Sequence, residues 1–420
     1  MKVRSTRDSS LQMELSDAIV EGLASDGGLF LPTNWGSGLE SITATSFQDY
    51  CLQALSPFFK GDELENDLSG IIDRALNFPV SLNFYEQNHA LLELYHGPTC
   101  AFKDFGARFL AEVLSKKSGT GKLTILVATS GDTGGAVASA FHNKPGINVA
   151  ILFPKGKVSP LQEKQLTCWG DNVMSFRVEG SFDDCQKMVK DAFSDKSLRQ
   201  KFNLTSANSI NIGRLLPQMA YHGYSSQLFF EKTGSKPNLV IPTGNLGNGF
   251  GALWAKKMGA PIDKVLLATN ENRSVTNFFE TGEFKALSSV ETLANAMDVG
   301  APSNMERLND LYKDLNELKK DSLSQSVSDS EILEEIKEAY QKYGTPICPH
   351  TAVGMRAAKK LLNDEPYIIS ATAHASKFKE IVEPAIGSKI MLPPKLSGLL
   401  EKESFYFDID ASLEALFKKF

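Results

Sequence analysis

The chain has 420 residues, with 44 Lys and Arg against 50 Asp and Glu and a formal charge of −6. That length supports a large core and two or three domains, and a mildly acidic balance argues against a nucleic-acid surface. Hydrophobic residues are 42% and charged residues 22%, ordinary for a globular protein, and the five scattered cysteines form no CxxC pair, which favours a reducing compartment over a disulfide scaffold.

The first twenty residues carry charge throughout and lack the apolar centre of a leader. No run approaches the ~18 apolar residues of a membrane span. The expectation is a soluble, cytoplasmic protein that uses neither membrane nor nucleic acid. Asp26-Gly27-Gly28-Leu29 reads as a tight turn into an extended segment. A helix is expected within 41–55, capped by Ser46, with Phe47, Tyr50, Cys51 and Ala54 on one face.

At Gly97-Pro98 the chain reverses. Asp104 then reads as the cap of a helix bearing Phe105, Phe109, Leu110, Val113 and Leu114, with Lys103 just ahead of it. A helix N-terminus presents positive dipole charge and unpaired amides, and both disfavour an ammonium. A lysine held neutral is a nucleophile for an aldehyde such as pyridoxal phosphate. An ordinary solvated lysine is the alternative, since most lysines are exposed.

From about residue 120 strands and helices alternate. Strands are expected at Leu123–Ala128, Ile147–Phe153, Val173–Val178, Leu239–Ile241, Val265–Ala268 and Tyr367–Ala371. Helices are expected at Ala136–Phe141, after the capping box Ser159-Pro160-Leu161-Gln162, after Ser181, after Asn211 and at Phe250–Met258. Residues 305–343 read as charged and helical, with Ser328 opening a helix that stops at Gly344 and Lys/Glu pairs marking a solvated face. Near-continuous apolar strands between helices predict an α/β fold of mainly parallel sheets covered on both faces, in units near 120–200 and 205–385.

Two strand-to-helix loops can hold anions. Thr129-Ser130-Gly131-Asp132-Thr133-Gly134-Gly135 combines glycines, hydroxyls and a helix start; a tightly packed structural turn would use the same residues. Thr243-Gly244-Asn245-Leu246-Gly247-Asn248-Gly249 could turn successive amides into a phosphate cup. It matches neither the Walker pattern nor GxGxxG, and nucleotide, flavin and pyridoxal phosphate sites all use such a device. Thr372, at the end of the last strand, could meet a heterocycle nitrogen or bond to its own backbone. Six scattered histidines without ligand spacing predict no metal site.

Taken together, HGPTCAFKDFGARF at 96–109, ATSGDTGGAVASAF at 128–141, FPKGKVSPLQEKQL at 153–166, NSINIGRLLPQ at 208–218, GNLGNGFGA at 244–252 and TAHASKFKE at 372–380 resemble the threonine synthases. Residues 5–32 look like that family's opening, and the length fits its longer branch. The resemblance implies fold type II of the pyridoxal-phosphate enzymes, akin to the tryptophan synthase β subunit, with two doubly wound α/β domains and an N-terminal extension. It implies an N-terminal domain at 1–80 and a catalytic domain at 81–420, with a smaller subdomain near 120–200. Lys103 would hold the cofactor as a Schiff base, Gly244, Asn245, Leu246, Gly247 and Asn248 would hold its phosphate, and Thr372 would meet its ring nitrogen. Ser130, Gly131, Asp132 and Thr133 would bind the substrate carboxylate or the cofactor's phenolic side. Many relatives of this fold place asparagine at the position of Asp132, so its role stays open. Asn211 and Arg214 are the candidates for the substrate phosphate, with Arg108 and Lys155 behind them; a guanidinium fork also suits a carboxylate or a structural pair. His374 reads as structural.

The implied activity is formation of threonine and phosphate from O-phosphohomoserine and water, with Lys103 moving the protons. Its rivals are a dehydratase or cysteine-forming synthase of the same fold, a non-catalytic binder of phosphorylated amino acids, and a nucleotide-binding protein.

Overall fold

The alternating strands assemble into three sheets among the residues that this computed structural model describes: 1–117, 122–129, 131–312 and 314–420. Lys2–Ser5 pairs antiparallel with both Gln12–Glu14 and Phe30–Pro32, which brings the N-terminal segment into one small sheet. The largest sheet has the order Ser322–Ser326, Val265–Thr269, Asn238–Pro242, Tyr367–Ala371, His89–Glu93, Ser81–Glu86. It is parallel except for the last pair. The third sheet runs Phe407–Asp410, Val173–Glu179, Ile147–Pro154, Leu123–Ala128, Leu204–Thr205, and every pairing in it is parallel. The α/β expectation holds because the central strands are buried on both faces, as Leu123–Ala128 and Asn238–Pro242 are along their whole length.

The caps lie where short-range chemistry puts them. Ser46, Ser159, Ser181 and Ser328 each accept a backbone amide at the start of a helix, and the last three form full capping boxes.

Several expectations give way to longer-range packing. The stretch 305–343 is not continuously helical: Ser322–Ser326 is an edge strand. Its serines and glutamine carry no apolar alternation, so only pairing with Val265–Thr269 reveals it. Nor do the carboxylates of the helix Asp329–Tyr343 simply face water. Glu331, Glu334, Glu335 and Glu338 pair with Arg356, Lys359 and Lys360 of the neighbouring helix Pro349–Leu361. Both large sheets also reach outside the expected units, one taking Ser81–Glu93 and the other Phe407–Asp410 near the C-terminus.

The carboxyl ends of Leu123–Ala128, Asn238–Pro242 and Tyr367–Ala371 lead directly into the two glycine loops and Thr372. Ligands bind at such strand ends in open α/β sheets.

Candidate active site

One cavity is lined by Lys103, Gly131, Asp132 and Thr133 from one side, Thr243 to Asn248 from the other, and Arg214, His350 and Thr372 between them. The structure thus brings most of the expected site residues together. Ser130 lies outside the described residues.

Lys103 is the first residue of the helix Lys103–Lys117 rather than the residue before it, and Asp104 does not cap that helix. The Asp104 carboxylate instead turns back to accept the Thr99 amide at 2.9 Å and the Thr99 hydroxyl at 2.7 Å, which closes the Gly97–Lys103 turn. Phe102 N–H donates to the Thr372 carbonyl at 2.8 Å and His374 N–H to the Cys100 carbonyl at 3.1 Å, so this turn is stitched to the end of the central strand. Gly106 packs against Arg214 so closely that a Cβ would stand 2.8 Å from the Arg214 carbonyl oxygen.

Lys103 Nζ lies 2.9 Å from Thr133 Oγ1. Its amine is pushed down to about 8, chiefly by loss of water around the ammonium and next by the Arg214 charge, while Asp132 pulls the other way. Burial and neighbouring charges therefore lower the Lys103 amine, where the sequence pointed to a helix dipole. Trace acetylation of the cofactor-free full chain, read at Lys103 by mass spectrometry, is expected to rise with pH with a midpoint of about 8. A midpoint at the ordinary lysine value would contradict this electrostatic reading.

In the first loop the Thr129 hydroxyl accepts the amides of Gly131 and Gly134, both at 3.0 Å. The Gly131 amide is therefore taken up within the loop instead of facing a substrate. Its residue type is set by φ of 154° and by Gln162, whose Nε2 would stand 2.5 Å from a Cβ. Asp132 pairs with Lys377 at 2.8 Å and accepts from Gln162 Nε2 at 3.2 Å. Burial works against its charge, but Lys377, helped by Lys103, holds the carboxyl below its ordinary range. Asp132 is thus a paired anion at the cavity wall.

The second loop fits a phosphate. Leu246 adopts φ of 62°, an uncommon left-handed conformation for a branched side chain, directly before the helix Gly247–Lys257. That bend gathers successive amides at a helix start. A Cβ on Gly244 would come within 2.8 Å of Met297 Cα, so the cup closes only around glycine. The Asn245 side chain holds the loop to Ser209 and Ser303, with its amide donating to Ser209 Oγ at 2.7 Å and its oxygen accepting Ser303 N–H. Asn248 does offer one. Its Oδ1 accepts from Tyr221 Oη at 2.6 Å and lies 2.7 Å from His222 Nε2, while the buried Nδ2 has no partner among the described residues. Thr243 Oγ1 is likewise buried without a partner. These orphaned groups and the glycine cradle suit the phosphate of pyridoxal phosphate, and Lys103 suits its aldehyde.

Of the expected substrate ligands, Arg214 lies at the cavity. It donates to the Ala207 carbonyl, Nε has no partner among the described residues, and burial pushes the guanidinium down to about 10. Asn211 is a correction. Its amide donates to the Ile19 and Ser206 carbonyls and its oxygen accepts Gly213 N–H, so it caps the turn Ile212–Arg214 and has no capacity left for a phosphate. Arg108 is taken up by the carbonyls of Arg74 and Ala75, and Lys155 pairs with Glu179 outside the cavity. His374 caps the turn Ala375–Phe378 through Ser376 N–H, as a structural histidine does.

Two residues escaped the sequence reading. His350 lines the cavity with Nε2 accepting Ala296 N–H at 3.1 Å, so its proton is on Nδ1, and burial holds it down to about 4 and neutral. Lys377 is fully buried behind Asp132. It lies inside TAHASKFKE, but nothing in local spacing separates a buried lysine from a solvated one.

Comparison with known proteins agrees with this geometry. Residues 86–368 match the pyridoxal-phosphate dependent enzyme family, 2–76 match the threonine synthase N terminus, and 351–419 match the threonine synthase C-terminal family. Threonine synthase of Haemophilus influenzae is 41% identical over 92% of this chain and 91% of its own. The crystal structure of threonine synthase from Escherichia coli superposes with a TM-score of 0.94 at 36% identity, covering 100% of this chain and 99% of that one. The pyridoxal-phosphate-bound threonine synthase from Brucella melitensis gives 0.91 at 31% identity, covering 100% and 98%.

Proposed function

Because the chain belongs to the threonine synthase family of pyridoxal-phosphate-dependent lyases, we propose that it converts O-phosphohomoserine and water into threonine and phosphate, with Lys103 as the reacting amine. The observation that carries this reading is the meeting, at one cavity, of a lysine poised near neutrality and a glycine cup with unpaired donors.

Bound pyridoxal phosphate supplies an aldehyde for an amine and a ring that draws electrons from the adjacent carbon. The rest falls to the chain. The Gly244–Asn248 loop and the Asn248 amide hold the phosphate. Thr372 faces the ring side. Lys103, once the substrate amine takes its place, is a free base whose direction Thr133 sets at 2.9 Å. One neutral amine can then serve the α-, β- and γ-carbons in turn, because they are neighbours. The Asp132 and Thr133 end of the first loop meets the substrate carboxylate through helix-start amides and the Thr133 hydroxyl. Arg214 provides the buried cation that steadies the departing phosphate. Phe102, Pro242, Met297 and Val299 form the apolar wall that limits water before the final addition.

The assay is phosphate release from O-phosphohomoserine, with serine and O-acetylserine as competitors for the assignment. Release of phosphate together with threonine is expected, and turnover of serine or O-acetylserine in its place would sink the reading. A dehydratase or a non-catalytic binder is not favoured, given identity to threonine synthases along the whole chain. Cytoplasmic placement suits the five free, buried cysteines; no helix among the described residues is long and apolar enough to cross a membrane.

A further inference from the structure

Lys377 does not itself line the cavity, yet among the described residues it is the most deeply enclosed cation near Lys103. It sits in the turn Ala375–Phe378, just beyond the central strand Tyr367–Ala371. Its Nζ reaches two other elements at once. One is the Asp132 carboxylate at 2.8 Å, at the first residue of the helix Asp132–Phe141. The other is the Thr99 carbonyl at 2.9 Å, in the turn that leads into Lys103. Thr99 is itself held by Asp104, the neighbour of Lys103. From the helix Pro160–Thr167, Gln162 donates to Asp132 at 3.2 Å and Gln165 to Thr99 at 3.1 Å, which brackets the same pair of groups from a fourth element.

We propose that Lys377 is a positioning residue for the reaction: its buried ammonium ties the first anion loop to the Lys103 turn and balances the Asp132 charge beside the reacting amine. Both halves of the role follow from geometry. Lys103 and its partner Thr133 stand on the two segments that Lys377 joins, each adjacent or close in sequence to a group it holds. Without that tie the 2.9 Å contact between Lys103 and Thr133 rests on packing of the helices Lys103–Lys117 and Asp132–Phe141 and on the two glutamine contacts, with no charged link between the segments. An uncompensated carboxylate at Asp132 would draw a proton onto Lys103, and a bare cation at Lys377 would drive one off. A buried pair of opposite charges leaves the amine between these extremes.

The charged groups facing Lys103 are Arg214, Asp132 and Lys377, and His350 faces the same cluster in neutral form. Arg214 and His350 are unchanged in the variants below, so the two members of the pair can be read separately. The inference rests on Lys103 being the reacting amine.

The test uses the full chain stripped of cofactor and follows trace acetylation of Lys103 against pH. Lys377→Met removes a cation and is expected to move the labelling midpoint up by about one pH unit. Asp132→Asn removes the anion and is expected to move it down by a similar amount. The double variant returns toward the parent, and Lys377→Arg stays near it. In the holoenzyme, the acid limb of kcat should shift in the same directions. Loosened packing alone lets water in and moves both single variants upward. A rise or no change in Asp132→Asn, or no change in Lys377→Met, therefore overturns the proposal. If Lys377→Met does not fold, Asp132→Asn and Lys377→Arg still decide it. Labelling needs neither cofactor nor substrate, so its failure is distinct from failure of the phosphate-release assay.

Discussion

Lys103→Ala is expected to lower turnover by at least ~10³-fold, because general acid–base catalysis alone contributes roughly 10²–10⁴-fold and this side chain serves more than one proton transfer. The contacts explain why no neighbour can stand in for it. Arg214 and Lys377 are the other cations facing this amine. A guanidinium does not give up its proton near neutral pH, and Lys377 is fixed between Asp132 and Thr99. Thr133, at 2.9 Å, is a hydroxyl whose side-chain partner among the described residues is Lys103 itself. His350 is neutral and lines the cavity, but its Nε2 lone pair already accepts Ala296 N–H, so it offers no basic nitrogen. The variant should also lose the visible absorbance of lysine-bound cofactor while keeping the far-ultraviolet circular dichroism of the parent. Turnover near the parental rate without added amine would remove Lys103 from its assigned role.

The second large effect concerns the cofactor, with no change to the reacting groups. Asn248→Asp is expected to weaken pyridoxal phosphate binding about 100-fold, since it exchanges a hydrogen bond to a charged phosphate, worth about 1.5–3 kcal/mol, for an anion facing an anion. The substitution is nearly isosteric, and one carboxylate oxygen can still accept from Tyr221 and His222. The fold should therefore persist, with a cooperative melt like that of the parent without cofactor. The direction of the amide is decided by its neighbours. The Tyr221 hydroxyl donates to Oδ1, and the neutral His222, held down to about 4 by burial, can donate its Nε2 proton to the same oxygen. The NH₂ must then point away from both. Unchanged cofactor affinity in Asn248→Asp, measured by fluorescence or absorbance titration of the stripped enzyme, would mean that the amide faces something other than the phosphate.

Where the two loops stand relative to Lys103 follows from strand order. Asn238–Pro242 and Tyr367–Ala371 are neighbours in the large sheet, although the chain between them makes a long excursion through Val265–Thr269 and Ser322–Ser326. Their carboxyl ends consequently bring the phosphate cup and Thr372 side by side. Leu123–Ala128 belongs to the other sheet, so the Lys103–Thr133 contact crosses between sheets. That makes the separation of the sheets a variable on which the chemistry depends, and it is the reason a buried tie such as Lys377 to Asp132 and Thr99 has a part in catalysis as well as in stability.

The sequence by itself determined whatever is written within a few residues. Apolar runs such as Leu123–Ala128 form central strands because nothing in them tolerates water. Ser159 and Gln162 close a capping box because their side chains reach each other's backbone across one turn. The glycines at 131 and 244 admit close approaches that a Cβ forbids. With Lys103 on its turn, these features were enough to locate the cavity and suggest its cofactor. The polar edge strand Ser322–Ser326 was hidden because pairing, and not composition, makes it a strand. Asn211 and Arg214 stand three residues apart in one motif, yet one is used up as a turn cap and the other lines the site. Lys377 is indistinguishable in sequence from any solvated lysine. Only the tertiary structure decided these, because the charge and availability of a side chain depend on which groups replace its water, and those groups come from segments far apart in the chain.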